Sequence, residues 1–105
     1  MHNPRATVDC DSALIIEAGQ GDDQAFAALI NRYRSLAFGT VWTALQDFDD
    51  AEDAAQECFV RAFRHLNGLN DPEKFSSWIY SIARNVAIKW LRKRKIEIVN
   101  GTQAM

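Results

Sequence analysis

The sequence predicts an all-α domain, a compact bundle of about four helices. Apolar residues recur at steps of three and four along its longer segments, which is the spacing of a single helix face. β-branched residues nowhere alternate with polar ones for long enough to make a strand. Glycine, asparagine, aspartate and proline gather between the periodic segments, at 19–23, 46–50 and 67–74, where a chain must turn. With 105 residues there is enough chain for one core and too little for two.

Residues 1–10 read as a loose arm. Asp11 or Ser12 caps a short helix through Ala18, which the Gly19 and Gly21 pair stops. Asp22 or Asp23 caps a long second helix, on which Phe26, Leu29, Ile30, Tyr33, Ala37, Val41 and Ala44 form one face. In its later half Phe38, Trp42 and Leu45 make a second column, so this end is expected to be buried on two sides. Gly39 is expected to permit close packing there, at a cost of about 1 kcal/mol relative to alanine.

The turn at 46–50 also starts a third helix, expected from residue 50 to residue 66. Its Ala51, Ala55, Cys58, Phe59, Ala62 and Leu66 gather on one side, and Asp53, Gln56, Glu57, Val60 and Arg64 on the other. "NGLNDPEK" at 67–74 is a sharply turning loop. A fourth helix begins between Pro72 and Phe75, with Phe75, Trp78, Ile79, Ile82, Val86 and Trp90 as its buried stripe. Ser77, Ser81, Arg84, Asn85, Ile88, Arg92 and Lys95 spread over the opposite side. "IEIVNGTQAM", from residue 96, has no helical pattern and reads as a tether or a cut end.

Composition excludes several function classes. The longest unbroken aliphatic run, "ALII" at 13–16, is far too short for a membrane span or the heart of a signal peptide, so no membrane insertion and a cytoplasmic location are expected. Cys10 and Cys58 lack CxxC spacing and a histidine cluster, which argues against a zinc site or a disulfide scaffold. His65 has no partner at ligand spacing. No nucleophile with its base, no paired-carboxylate site and no phosphate-cradling glycine loop is present, so neither enzymatic activity nor a cofactor is expected.

The net charge of −2 conceals a division: residues 1–60 carry three basic and eleven acidic groups, and residues 61–105 nine basic and three acidic. One surface therefore suits an anionic polymer and another a protein partner. For the basic end of the fourth helix two readings stay open: cations that complement the helix dipole on a solvated end, or a nucleic-acid contact in which Ser81, Asn85 and Arg92, on one side, combine salt-sensitive affinity with short polar groups that discriminate bases. Trp78 and Trp90 lie in the apolar stripe and read as core. For Tyr80, off the stripe, stacking on a base and a plain surface position both stay open. On the third helix, Val60 amid acidic and amide groups fits the rim of a protein contact.

Three blocks, "GDDQAFAALINRYRSLAF", "DAEDAAQECFVRAFRHL" and "FSSWIYSIARNVAIKWLRKR", resemble in order and spacing region 2 of bacterial RNA polymerase sigma factors of the extracytoplasmic-function (ECF) type. The resemblance covers residues 12 to 95, and a domain over 11–95 is expected. It implies that Asp53, Gln56, Glu57, Val60 and Arg64 dock on the clamp helices of the core polymerase's largest subunit. It also implies that the 67–74 loop and the fourth helix engage the non-template strand of the minus-ten promoter element. The residues concerned would be Asn67, Asn70, Asp71, Lys74, Tyr80, Ser81, Arg84, Asn85, Lys89 and Arg92.

An anti-sigma factor is a further implied partner. Sigma factors of this type normally continue into a second helical domain, region 4, for which nothing after residue 95 suffices. The expectation is a domain cut from a longer chain at its linker. The alternative is a stand-alone sigma-like decoy that binds an anti-sigma factor without reading DNA.

Overall fold

The computed structural model describes residues 4–99, with side chains from residue 11 onward. Four helices follow one another: α1 (Pro4–Gly19), α2 (Asp23–Leu45), α3 (Phe48–His65) and α4 (Phe75–Val99). Two single 3-10 turns, Leu66–Gly68 and Pro72–Lys74, carry the chain from α3 to α4. Helix α2 packs against all three others, α3 also packs on α4, and the second 3-10 turn lies against α1.

Local chemistry explains the boundaries. Helix α1 ends where Gly21 takes a left-handed φ of +99°, while the Asp22 N–H reaches back to the Glu17 carbonyl at 3.0 Å and the Gly21 N–H to that of Ala18 at 3.0 Å. Asp22 is the cap of α2, its carboxylate accepting from the Gln24 and Ala25 N–H groups at 3.0 and 3.1 Å. Asp47 caps α3 by accepting from the Asp50 N–H at 2.9 Å, so that helix starts two residues before the expected Asp50.

Two further ends differ from expectation. Helix α1 begins at Pro4, where Asp11 or Ser12 was the expected start, so residues 4–10 of the expected loose arm are helical; its residues 1–3 lie outside the described residues. Proline suits a first helical position, and no glycine or further proline interrupts the run to Gly19. Helix α4 passes through residues 96–99, which were expected to begin a tether, because no breaker precedes Gly101. Residues 100–105 of the expected tether lie outside the described residues.

The core is built largely from alanine and medium-sized apolar side chains. Helix α3 contributes Ala51, Ala54, Ala55, Cys58, Phe59 and Ala62, which lets α2 and α4 approach closely. Phe75, Leu29, Ile79, Val41, Val86 and Cys58 are the largest fully buried side chains, and no polar or charged residue is buried among those described. Asp11 joins α1 to α2 by accepting from Arg32 and from the Tyr33 hydroxyl, the latter at 2.7 Å.

The later half of α2 is not buried on two sides. Leu45 is buried, but Trp42 is exposed and Phe38 half-buried, stacked on each other with their planes 7° apart. Helices α3 and α4 cover only the inner face here. Gly39 shares this uncovered side: a β-carbon built on it would meet nothing within 4 Å, so close packing is not its role.

Candidate protein and nucleic-acid interfaces

Asp53, Gln56, Val60 and Arg64 lie along the crest of α3 that faces away from the core, and all four are exposed, Val60 by 48%. Beside this crest runs a groove between α2 and α3, floored by Phe26, Ile30 and Phe59 and walled by Phe38, Phe48 and Phe63. Phe63 meets Phe26 edge to face, and Phe48 meets Phe38 likewise. Phe48 and Phe63 remain more than half exposed, at 59% and 53%. Sequence reading missed both: Phe48 fell outside the expected third helix, and Phe63 belongs to neither column of α3.

Glu57 is turned to the flank of α3 that meets α4. Its Oε2 accepts from Lys89 Nζ at 2.6 Å and from Arg61 Nη2 at 3.0 Å, and its Oε1 accepts from the indole Nε1 of Trp90 at 3.1 Å. Partial burial alone would raise its carboxyl, but the hydrogen bonds from Lys89 and Trp90 and the charges of Lys89 and Arg61 outweigh it, and the net direction is down. Glu57 and Lys89, which the resemblance assigns to different partners, are thus bonded to each other.

On α4, Ser81, Asn85 and Arg92 are exposed and, at 100° per residue, fall within about 40° of one another around the axis. Arg84 and the 44%-exposed Tyr80 lie on the flank facing α2, where with Ile88 and Leu91 they line a second groove against Ser35, Gly39, Thr40 and Thr43. Of the loop residues, Asn67, Asn70, Asp71 and Lys74 are all exposed. The Asp71 carboxylate is already engaged, accepting from the Glu73 N–H at 3.0 Å to cap the 3-10 turn. Trp78 and Trp90 are half-buried against the core, as their places in the stripe predict.

The basic run divides by direction. Arg94 donates to the Leu45 carbonyl at 3.1 Å and to Asp50 at 2.6 Å, which ties it to the end of α2 and the start of α3. Lys89 is held by Glu57. Arg84, Arg92 and Lys95 make no ion pair among the described residues and leave their charge at the surface. The arrangement offers a polar crest beside an apolar groove and, separately, a cationic helix carrying short polar groups. No helix among the described residues is long and apolar enough to cross a membrane.

Comparison with known proteins agrees with this geometry. The family model for sigma-70 region 2 matches residues 29–96. The ECF RNA polymerase sigma factor SigW of Bacillus subtilis is 36% identical over 81 residues, which are 77% of this chain and 43% of that protein. The ECF RNA polymerase sigma-E factor of Haemophilus influenzae is 35% identical over 81 residues, 77% of this chain and 42% of that protein. The chain thus spans less than half the length of these curated relatives. An engineered region 2 of sigmaE, solved by NMR in complex with GTAAAA, matches with a TM-score of 0.75 and 34% identity, over 81% of this chain and 88% of that one.

Proposed function

Because the chain belongs to the sigma-70 region 2 family, we propose that it acts in transcription initiation as an ECF-type sigma domain, docking on core RNA polymerase and reading the minus-ten promoter element. The observation that carries this reading is the exposed column Ser81, Asn85 and Arg92 on α4, in a chain similar to a domain solved with GTAAAA. The crest Asp53, Gln56, Val60 and Arg64 serves the clamp helices of the largest core subunit, with the adjoining groove of α2 and α3 accepting apolar side chains.

The chemistry of the promoter step is binding rather than bond-making. Unstacking a base costs a few kcal/mol, which the domain offsets by holding the extruded base and gripping the backbone around it. Asn67 and Asn70 in the loop bring amide donors and acceptors to a base edge, and Arg84, Arg92 and Lys74 bring charge to the strand. Melting is thereby coupled to sequence reading, while nucleotide transfer belongs to the polymerase.

The test is binding of this chain to isolated clamp helices, native against Gln56→Ala, Val60→Ala. The reading expects the double variant to bind about tenfold or more weakly, as for residues central to an interface. A folded native chain that does not bind would overturn the polymerase reading and favour the decoy, with an anti-sigma factor as the partner to seek.

A further inference from the structure

Helix α4 has two parts that are held in different ways. From Phe75 to Ala87 it is seated by buried side chains: Phe75, Ile79, Ala83, Val86 and Ala87. Beyond Ala87 no described residue of the helix is buried; Trp90, Arg94 and Glu97 are half-buried and the others exposed. Yet this outer part carries Arg92 and Lys95, whose direction decides where charge is offered. Apolar packing here comes down mainly to Trp90, half-buried against the core, and one such contact does not fix that direction by itself.

Polar contacts to α3 and to the end of α2 supply the rest. Glu57 accepts from both Lys89 and Trp90, and Asp50 accepts from Arg94, which also holds the last carbonyl of α2. The two carboxylates stand seven residues apart, two turns along one helix. As numbering rises on α3 it falls on α4, so the two attachment points fix both the angle of the outer part and its register. Both carboxylates also sit on the helix whose crest is Gln56 and Val60.

We propose that Glu57 and Asp50 form a two-point positioning clamp that aims the basic end of α4. Lys89 and Arg94 are spent holding the helix, and Arg84, Arg92 and Lys95 are left for an anionic partner. That this partner is a nucleic-acid strand rests on the function proposed above. On this reading Glu57 positions α4 and is not itself a docking residue, and Lys89 is not a phosphate contact.

Residual dipolar couplings of the backbone amides test the clamp without any ligand. In the full chain carrying Asp50→Asn and Glu57→Gln, the couplings of residues 88–95 should fall well below those of 75–87, which should keep their native values because their buried contacts are untouched. Lys89→Met with Arg94→Met, breaking the clamp from the other side, should reproduce the effect. Native couplings throughout 88–95 in both double variants would overturn the clamp.

The second arm uses the six-nucleotide strand GTAAAA, the partner of the sigmaE domain, as probe. Arg92→Ala should reduce the slope of log affinity against log salt by about 0.7, the value for one phosphate contact on a single strand. Lys89→Met, with Trp90 still on Glu57 and Arg94 still on Asp50 to aim the helix, should leave that slope unchanged. An equal drop for Lys89→Met would overturn its assignment to the clamp. Failure of the native chain to bind the probe would count against the nucleic-acid reading alone, and the couplings would still decide the clamp.

Discussion

The indole N–H of Trp90 donates to Oε1 of Glu57 at 3.1 Å, across 33 residues of sequence, while Lys89 takes the other carboxylate oxygen. One carboxylate therefore satisfies two consecutive residues of α4. Its net downward pKa shift makes it sensitive to acid.

Glu57→Gln should destabilise the domain by about 1 kcal/mol at pH 7, the scale of a charge-assisted contact that is partly exposed. The sign with pH follows from the lowered carboxyl. The contribution is complete above the ordinary value of 4.5 and is lost as pH falls through the lower folded-state value. Urea midpoints of the two proteins should differ at pH 7 and converge as pH falls below 4.5. A constant difference would mean that the carboxylate's charge does not stabilise the fold.

Tyr33 behaves in the opposite sense. Burial, and then the hydrogen bond and charge of Asp11, push its hydroxyl up to about 12. The chain has two tyrosines, so in Tyr80→Phe the only phenolate signal is that of Tyr33. Its absorbance should rise near pH 12 rather than near 10. Stability held by the protonated Tyr33 is complete below pH 10 and declines as pH rises toward 12. Tyr33→Phe should cost about 0.5 to 1.5 kcal/mol at pH 7, measured by urea unfolding.

Gly39→Ala should stabilise the isolated domain by about 0.5 to 1 kcal/mol, because the new methyl meets nothing within 4 Å and the unfolded chain loses freedom. A thermal unfolding midpoint above the native one is the expected result. A lower midpoint would show that the open side of α2 is covered in solution.

Asn85→Ala and Arg92→Ala should separate reading from grip. Arg92→Ala should weaken binding to matched and scrambled oligonucleotides alike and flatten the salt dependence. Asn85→Ala should cost roughly 1 to 3 kcal/mol on the matched strand only. Equal losses on both strands for Asn85→Ala would remove it from base recognition.

Much of this molecule was legible from sequence because helix patterning is local. A cap at Asp22 or Asp23, a stop at the Gly19 and Gly21 pair, the alanine face of α3 and the column Ser81, Asn85 and Arg92 all follow from residues within a few turns of one another; the structure chose Asp22 and Gly21. The helix ends at Pro4 and Val99 were harder, since Asp11 and Ser12 are cap-forming residues that lie inside α1, and no breaker stands between Lys95 and Val99.

By itself the sequence determined the four-helix class, the stripes that meet in the core and the division of charge along the chain. Tertiary structure alone decided which flank residues face a neighbour and which face solvent. Glu57 lies at the edge of α3's exposed side, where its own helix permits either direction; the donors that turn it inward come from residues 32 and 33 positions away. Arg94 meets Asp50 across 44 positions, and Trp42 stays exposed because no further described helix covers it. Periodicity gives an angle around one axis, whereas the partner at that angle depends on how separate helices pack.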